Sequence, residues 1–303
     1  MHPAGPHRRR DFRAMGTVVT LLGPDVPALE LAARVVVDTF AVEEERFSRF
    51  RAGSELSRVN AVAGFPTAVS EPFAEVLTFA LDHAERTGGL FDPTVLPAMH
   101  AAGYDRDLEE VIEVARGVLD LPVVCGRWRD VEVRGGRVRL PEGVGLDLGG
   151  VAKGWTVDRA AEGALDAGIA WALVSAGGDL TIVGDAPVLD IGIEDPDEPG
   201  RTVASLRLRE GAIATSSTRR RSWGPGLHHV IDPRTGAPSA TGIVQATVWA
   251  PTCAEAEIAS TVAVLEGAGS VARRASLLVA DDGTVVRSFM HDRPATPLEG
   301  SAA

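Results

Sequence analysis

A chain of 303 residues that is 45% apolar and 24% charged can bury a large core as one domain or two modest ones, which excludes a disordered or fibrous protein. Its net charge of −12 argues against a general nucleic-acid binder, which needs Lys and Arg clustered over a whole face, so small molecules or proteins are the expected partners. Two cysteines, Cys125 and Cys253, lie far apart without a CxxC pair, and neither a disulfide framework nor a structural zinc site is indicated.

In chain order, MHPAGPHRRRDFRAMG carries an arginine run like that of a twin-arginine export signal, but the stretch after it, MGTVVTLLG, is short and Pro24, Asp25 and Pro27 interrupt it. No later stretch reaches the roughly 18 apolar residues of a membrane span. The reading is a cytoplasmic protein without a membrane span, with a flexible segment over 1–14. MGTVVTLLG (15–23) is the first expected strand, and apolar residues at helical spacing follow over 26–46. SEPFAEVLTFALDHAERTGG is the best-marked helix: Ser70 caps it, Glu71 and Pro72 suit its first turn, and Gly88 and Gly89 stop it. A weaker helix covers 108–115, and DVEVRGGRVRL (130–140) alternates around a Gly-Gly turn as a hairpin does.

Beyond a helix starting near 151, short runs rich in β-branched residues read as sheet strands: AWALVSA, TIVG, VLDIGIED, RTVASLRLREGAIATSS and IVQATVWAP. A helix over 254–265 and a hairpin over 276–290, turning at Asp282-Gly283, complete the pattern. No repeat and no long linker divides the chain. The expectation is one α+β domain over 15–290, with a mixed, largely antiparallel sheet and packed helices, and a frayed tail over 291–303.

The stretch LDLGGVAKGWTVD (146–158) raises a chemical question, because Lys153 stands in the first turn of a helix, at the positive end of its dipole. The segment matches neither the P-loop nor the GxGxxG pattern. Gly149 and Gly150 still let a ligand approach the backbone, the helix start aims free N–H groups outward, and Lys153 adds a full charge, a combination suited to phosphate. The plainer alternative is a lysine paired with a nearby carboxylate, for which Asp158, five residues on, is badly spaced. GLFDPTVLP and HHVIDPRTG are turns with polar groups that can equally be structural. SRFRAGSELSRVN holds Phe50 in a loop between arginines, and in PTCAEAEIASTVAVLEG, Glu257 and Thr261 share a helix face that could hold a hard cation or simply meet water.

Taken in order from MGT at 15–17 through SRFRAGSELSRVN, GLFDPTV, LDLGGVAKGWTVD, AGGDL, ATSS and HHVIDPRTG to AEIAST at 256–261, these segments resemble the FAD:protein FMN transferase family, also called ApbE-like. The resemblance implies an enzyme that transfers the FMN half of FAD to a threonine hydroxyl of an acceptor flavoprotein, using magnesium (Mg2+) and releasing AMP. It places Met15 and Phe50 beside the flavin, Phe50 standing where the family usually has tyrosine. Leu90, Phe91, Asp92, Asp147, Lys153 and Ile231 would also meet FAD. Gly150, Glu257, Ser260 and Thr261 would hold the metal, Glu257 replacing an aspartate, and Ser217 replaces a glycine after Thr-Ser, a change expected to narrow or stiffen that turn. His229 would serve as general base or orient the hydroxyl, and Lys153 would stabilise the leaving AMP. Two alternatives accompany this reading: an FAD pyrophosphatase giving FMN and AMP, and an FAD-binding protein impaired in turnover.

Overall fold

The computed structural model describes residues 7–106 and 125–288; the helix expected over 108–115 and the tail over 291–303 lie outside the described residues. Eight strands form one sheet in which spatial order follows chain order: β1 (His7–Ala14), β2 (Thr17–Pro24), β3 (Trp171–Ala176), β4 (Asp179–Gly184), β5 (Gly211–Ser217), β6 (Ile243–Ala250), β7 (Ser276–Ala280) and β8 (Val285–Ser288). Each neighbouring pair is antiparallel, so the expected mixed sheet is wholly antiparallel among the described residues.

Among the described residues six α-helices accompany it: α1 (Leu29–Phe47), α2 (Glu55–Ala61), α3 (Glu71–Arg86), α4 (Leu96–Ala101), α5 (Ala152–Asp166) and α6 (Cys253–Glu266). All but α6 are inserted between β2 and β3, which are neighbours in space. Phe40 and Val36 of α1, Val157 and Ala161 of α5 and Leu21 and Val174 of the sheet share one core. On another cluster, a two-stranded ribbon (189–194 with 202–208) sets Leu208 and Leu206 against Leu173, Ile182 and Ile213. Cover on both faces explains why β3 and β4 read as continuous apolar runs instead of alternating. A further core joins Phe73 and Leu77 of α3 to Leu140, Leu146 and Ile258, and Ser70 caps α3 as expected, accepting the Phe73 N–H at 3.3 Å.

Two expectations change. Residues 7–14, read as flexible, form an edge strand: Arg8 and Arg10 pair with Asp25 and Glu30, and the Phe12 ring meets Phe40 edge-on at 5.8 Å, so one face of the strand carries charged anchors and an apolar one in succession. Ser217 lies within β5, paired with Gln245, so the turn expected to suffer from a missing glycine starts after it. Between β1 and β2 the chain turns in two residues, Met15 (φ 49°) and Gly16 (φ 69°), the left-handed pair that a tight hairpin needs.

Candidate active site

At one end of the sheet three pieces of strand meet. The Met15-Gly16 turn lies beside the Gly177-Gly178 turn that joins β3 to β4, so close that a Cβ on Gly177 would fall 2.8 Å from Thr17 Oγ1. Asp179 opens β4 directly after the second turn, and the Thr215 N–H of β5 donates to its Oδ1 at 2.9 Å. Asp179 is thereby buried with one oxygen bound to the sheet and the other aimed at α5.

Lys153 meets it there. The ammonium contacts Asp179 Oδ2 and donates to Glu257 Oε1 at 2.8 Å, while Glu257 Oε2 accepts the Gly154 N–H at 2.7 Å. Two carboxylates around one ammonium offset the unfavourable place of a cation in a first turn. The geometry shows the plainer reading, a lysine paired with carboxylates, and sets that ammonium at a glycine-flanked helix start. Lys153 is also the only lysine in the sequence, every other cation among its 30 Lys and Arg being arginine. A compact ammonium fits between two carboxylates where a planar guanidinium does not.

The approach of α6 to α5 depends on Gly154, where a Cβ would stand 2.5 Å from the Cys253 carbonyl oxygen. Asp158, unsuited to pair with Lys153, instead accepts the N–H groups of Cys253 and Ala254 at 2.8 and 3.0 Å, capping α6 from a neighbouring helix. Burial raises its pKa to about 6 against those hydrogen bonds.

Glu257, Ser260 and Thr261 lie on one side of α6, and Ser216 Oγ of β5 reaches Ser260 Oγ at 2.8 Å and Thr261 Oγ1 at 3.0 Å. Because the Gly154 N–H goes to Glu257, it does not close onto the Gly150 carbonyl four residues earlier. The Glu257 carboxylate and the hydroxyls of Ser260 and Thr261 share this side of α6, with two negative side chains, Asp179 and Glu257, around the one positive Lys153, and oxygen donors of this kind are the ones a hard cation takes. Among the described residues no three His, Cys, Asp or Glu side chains form a metal cluster, so hydroxyl and main-chain oxygens would complete any shell.

The remaining expected residues surround this centre. Asp147 accepts the Gly149 N–H at 2.7 Å and faces Arg49 Nε at 3.1 Å, and its own N–H donates to the Pro93 carbonyl, tying the glycine loop to the Asp92 turn. Asp92 accepts from the Thr94 N–H and hydroxyl and from the Gly126 N–H, so its carboxylate shapes the turn. Phe91 is buried against Gly150, where a Cβ would meet its ring at 3.2 Å, and Leu90 is half-buried between two cores. Phe50 is 40% exposed, its ring 5.9 Å from Tyr104, with the Arg49 guanidinium stacked on both. Glu44 bridges the Met15 N–H and Arg51, bringing the Met15 turn toward the Phe50 segment.

Ile231 is buried with Met99, Tyr104 and Trp223. His229, one residue from buried His228, sets Nδ1 3.4 Å from the Arg221 carbonyl oxygen. Its pKa is pushed down to about 3, chiefly by burial and then by the Arg221 charge, with Lys153 among the lesser causes. With the Nδ1 proton on that carbonyl, neutral Nε2 is left as an acceptor.

Asp179, Ser216 and Arg49 escaped the sequence reading as individual residues, although each lies within a segment it singled out. The available signal was in AGGDL, where an acid directly follows two glycines, both with positive φ.

The ApbE family model matches residues 15–279. The chain is 32% identical to an FAD:protein FMN transferase of Rhodobacter capsulatus, over 92% of this chain and 57% of that one, and so spans little more than half of that relative's length. It is 28% identical to the FAD:protein FMN transferase of Klebsiella pneumoniae, over 84% of this chain and 77% of the relative. The crystal structure of the ApbE protein of Thermotoga maritima superposes with a TM-score of 0.83 at 26% identity, covering 93% of this chain and 97% of that one.

Proposed function

The chain belongs to the ApbE family, and on that premise we propose that it is a flavin transferase, which moves the FMN moiety of FAD onto a threonine hydroxyl of an acceptor flavoprotein and releases AMP. The observation that carries this reading is the sole lysine, held between Asp179 and Glu257 at a helix start whose glycines admit a diphosphate. In the reaction the threonine oxygen bonds to the FMN phosphorus, the bond to the AMP oxygen breaks, and the threonine proton is lost to the surroundings.

Lys153 and the α5 N-terminus face the diphosphate and stabilise the charge that gathers on the departing AMP. His229 orients the hydroxyl: a neutral imidazole accepts its hydrogen bond at Nε2, whereas a pKa of about 3 makes it a poor final proton store. Phe50 offers an apolar ring face to the flavin, and Met15, Leu90, Phe91 and Ile231 supply further apolar contacts. Asp147 holds the glycine loop through Gly149, and Asp92 fixes the turn beside it. Glu257, Ser260, Thr261 and the Gly150 carbonyl would hold magnesium, which when bound neutralises phosphate charge.

The test is to incubate the purified chain with FAD and magnesium chloride, with and without a candidate acceptor flavoprotein, and to read intact mass and free nucleotides. A flavin-sized mass gain on the acceptor with equimolar AMP is the expected result. Free FMN plus AMP would replace transfer by hydrolysis, and unchanged FAD would overturn turnover altogether.

A further inference from the structure

The flavin-transfer reading leaves one buried carboxylate without a task. Asp179 is fixed to the sheet by the Thr215 N–H on Oδ1, and its other oxygen contacts Lys153. Its side chain is 3% exposed, while Glu257, the second partner of the ammonium, is 6% exposed and belongs to α6. Both Glu257 oxygens are engaged, one by Lys153 and one by the Gly154 N–H. A divalent cation on Glu257 would repel an ammonium only 2.8 Å from the same carboxylate. On its flexible four-carbon stem, a lysine with no other anchor would swing away from the diphosphate.

We propose that Asp179 is the positioning residue of this site, holding the Lys153 ammonium at the first turn of α5 when Glu257 turns from it toward a divalent cation. This rests on the flavin-transfer reading for the role of that cation. The division of labour follows from the attachments: Asp179 takes its support from β5 through a backbone N–H that no cation competes for, whereas Glu257 lies beside the hydroxyls of Ser260 and Thr261 on α6. Sheet and helix thus each hold one side of the ammonium, and only the helix side is asked to change partner.

Because Lys153 is the only lysine, protein grown with 15N-labelled lysine reports this ammonium by a single side-chain resonance, visible when ion pairs slow its exchange with water. The wild-type resonance is expected to shift but persist when magnesium chloride is added. In Asp179→Asn, which keeps an oxygen for the Thr215 N–H, it should persist without magnesium and vanish with it, and FAD affinity measured by flavin fluorescence in magnesium should fall about tenfold. In Glu257→Gln magnesium should leave it unmoved. Loss of the wild-type resonance on adding magnesium, or its retention in Asp179→Asn with magnesium, overturns the proposal. Should Asp179→Asn fail to fold, the wild-type titration decides alone. If FAD does not bind the wild-type protein, the flavin-transfer reading fails while the resonance series still judges Asp179.

Discussion

A lysine in a chain that otherwise uses arginine makes a sharp residue-level claim. Lys153→Arg preserves charge but asks a planar fork to enter the space between Asp179 and Glu257, so turnover is expected to fall on the order of 100-fold, nearly as far as in Lys153→Ala. Steady-state rates of FMN transfer, with FAD affinity measured alongside, check this; an arginine variant of wild-type activity would remove the case for a compact ammonium. Histidine makes a second claim, about pH. His229 has a folded pKa near 3 against 6.5 for the free group, so its burial contributes stability above pH 6.5 that is lost as pH falls through 6.5 toward 3. Asp158, raised to about 6 from 3.8, has the opposite sign: its contribution is present below pH 3.8 and is lost as pH rises through 6. Removing the first should unmask the second. The melting temperature of the wild type is therefore expected to fall relative to that of His229→Gln between pH 7.5 and 4.5, and parallel curves would contradict a neutral, part-buried imidazole. For the same reason His229 should place no inflection near pH 6.5 in the rate of transfer.

At the scale of elements, the site depends on how closely α5 and α6 cross. Gly154→Ala puts a methyl group 2.5 Å from a backbone carbonyl oxygen that cannot rotate away, so the helices must separate, at a cost of about 1–3 kcal/mol by urea denaturation and with loss of the Lys153–Glu257 contact. Transfer activity should fall more than stability alone would require. Such crossings also mark where the sequence was legible and where it was not. The α3 helix announced itself because its signals are local: a serine cap, a proline in the first turn and two glycines at the end. By contrast α2, only seven residues long, offers too little periodicity to be seen, although Ser54 caps it by accepting the Ser57 N–H. The strands at 189–194 and 202–208 read correctly as strands but pair with each other outside the main sheet, a choice made by tertiary contacts with Leu173 and Ile182. Within the site, Glu257 and Lys153 were each visible in motifs, yet they are 104 residues apart, and nothing in either motif says that they touch. Asp179 shows the same limit, since its function comes from Thr215 across the sheet.

For the whole molecule, the order of the strands was the least legible property, because the helices between β2 and β3 hide the fact that these two are neighbours. What results is an open sheet with two ends, one of them β1. Its sequence, HRRRDFRA, is mostly charged with Phe12 as an apolar anchor, and Arg8, Arg9 and Arg10 are all engaged in ion pairs along that border. A strand so furnished is a poor template for a second chain, since any newcomer must bury guanidinium groups. Deleting residues 1–14 would instead expose Thr17–Pro24, an apolar run with half its main-chain donors and acceptors unpaired, as the new border. Light scattering should then report growing multimers at concentrations where the intact chain stays monodisperse, the outcome expected if the arginine strand guards the sheet against edge-to-edge aggregation; a truncated chain that stays monodisperse would deny it that part.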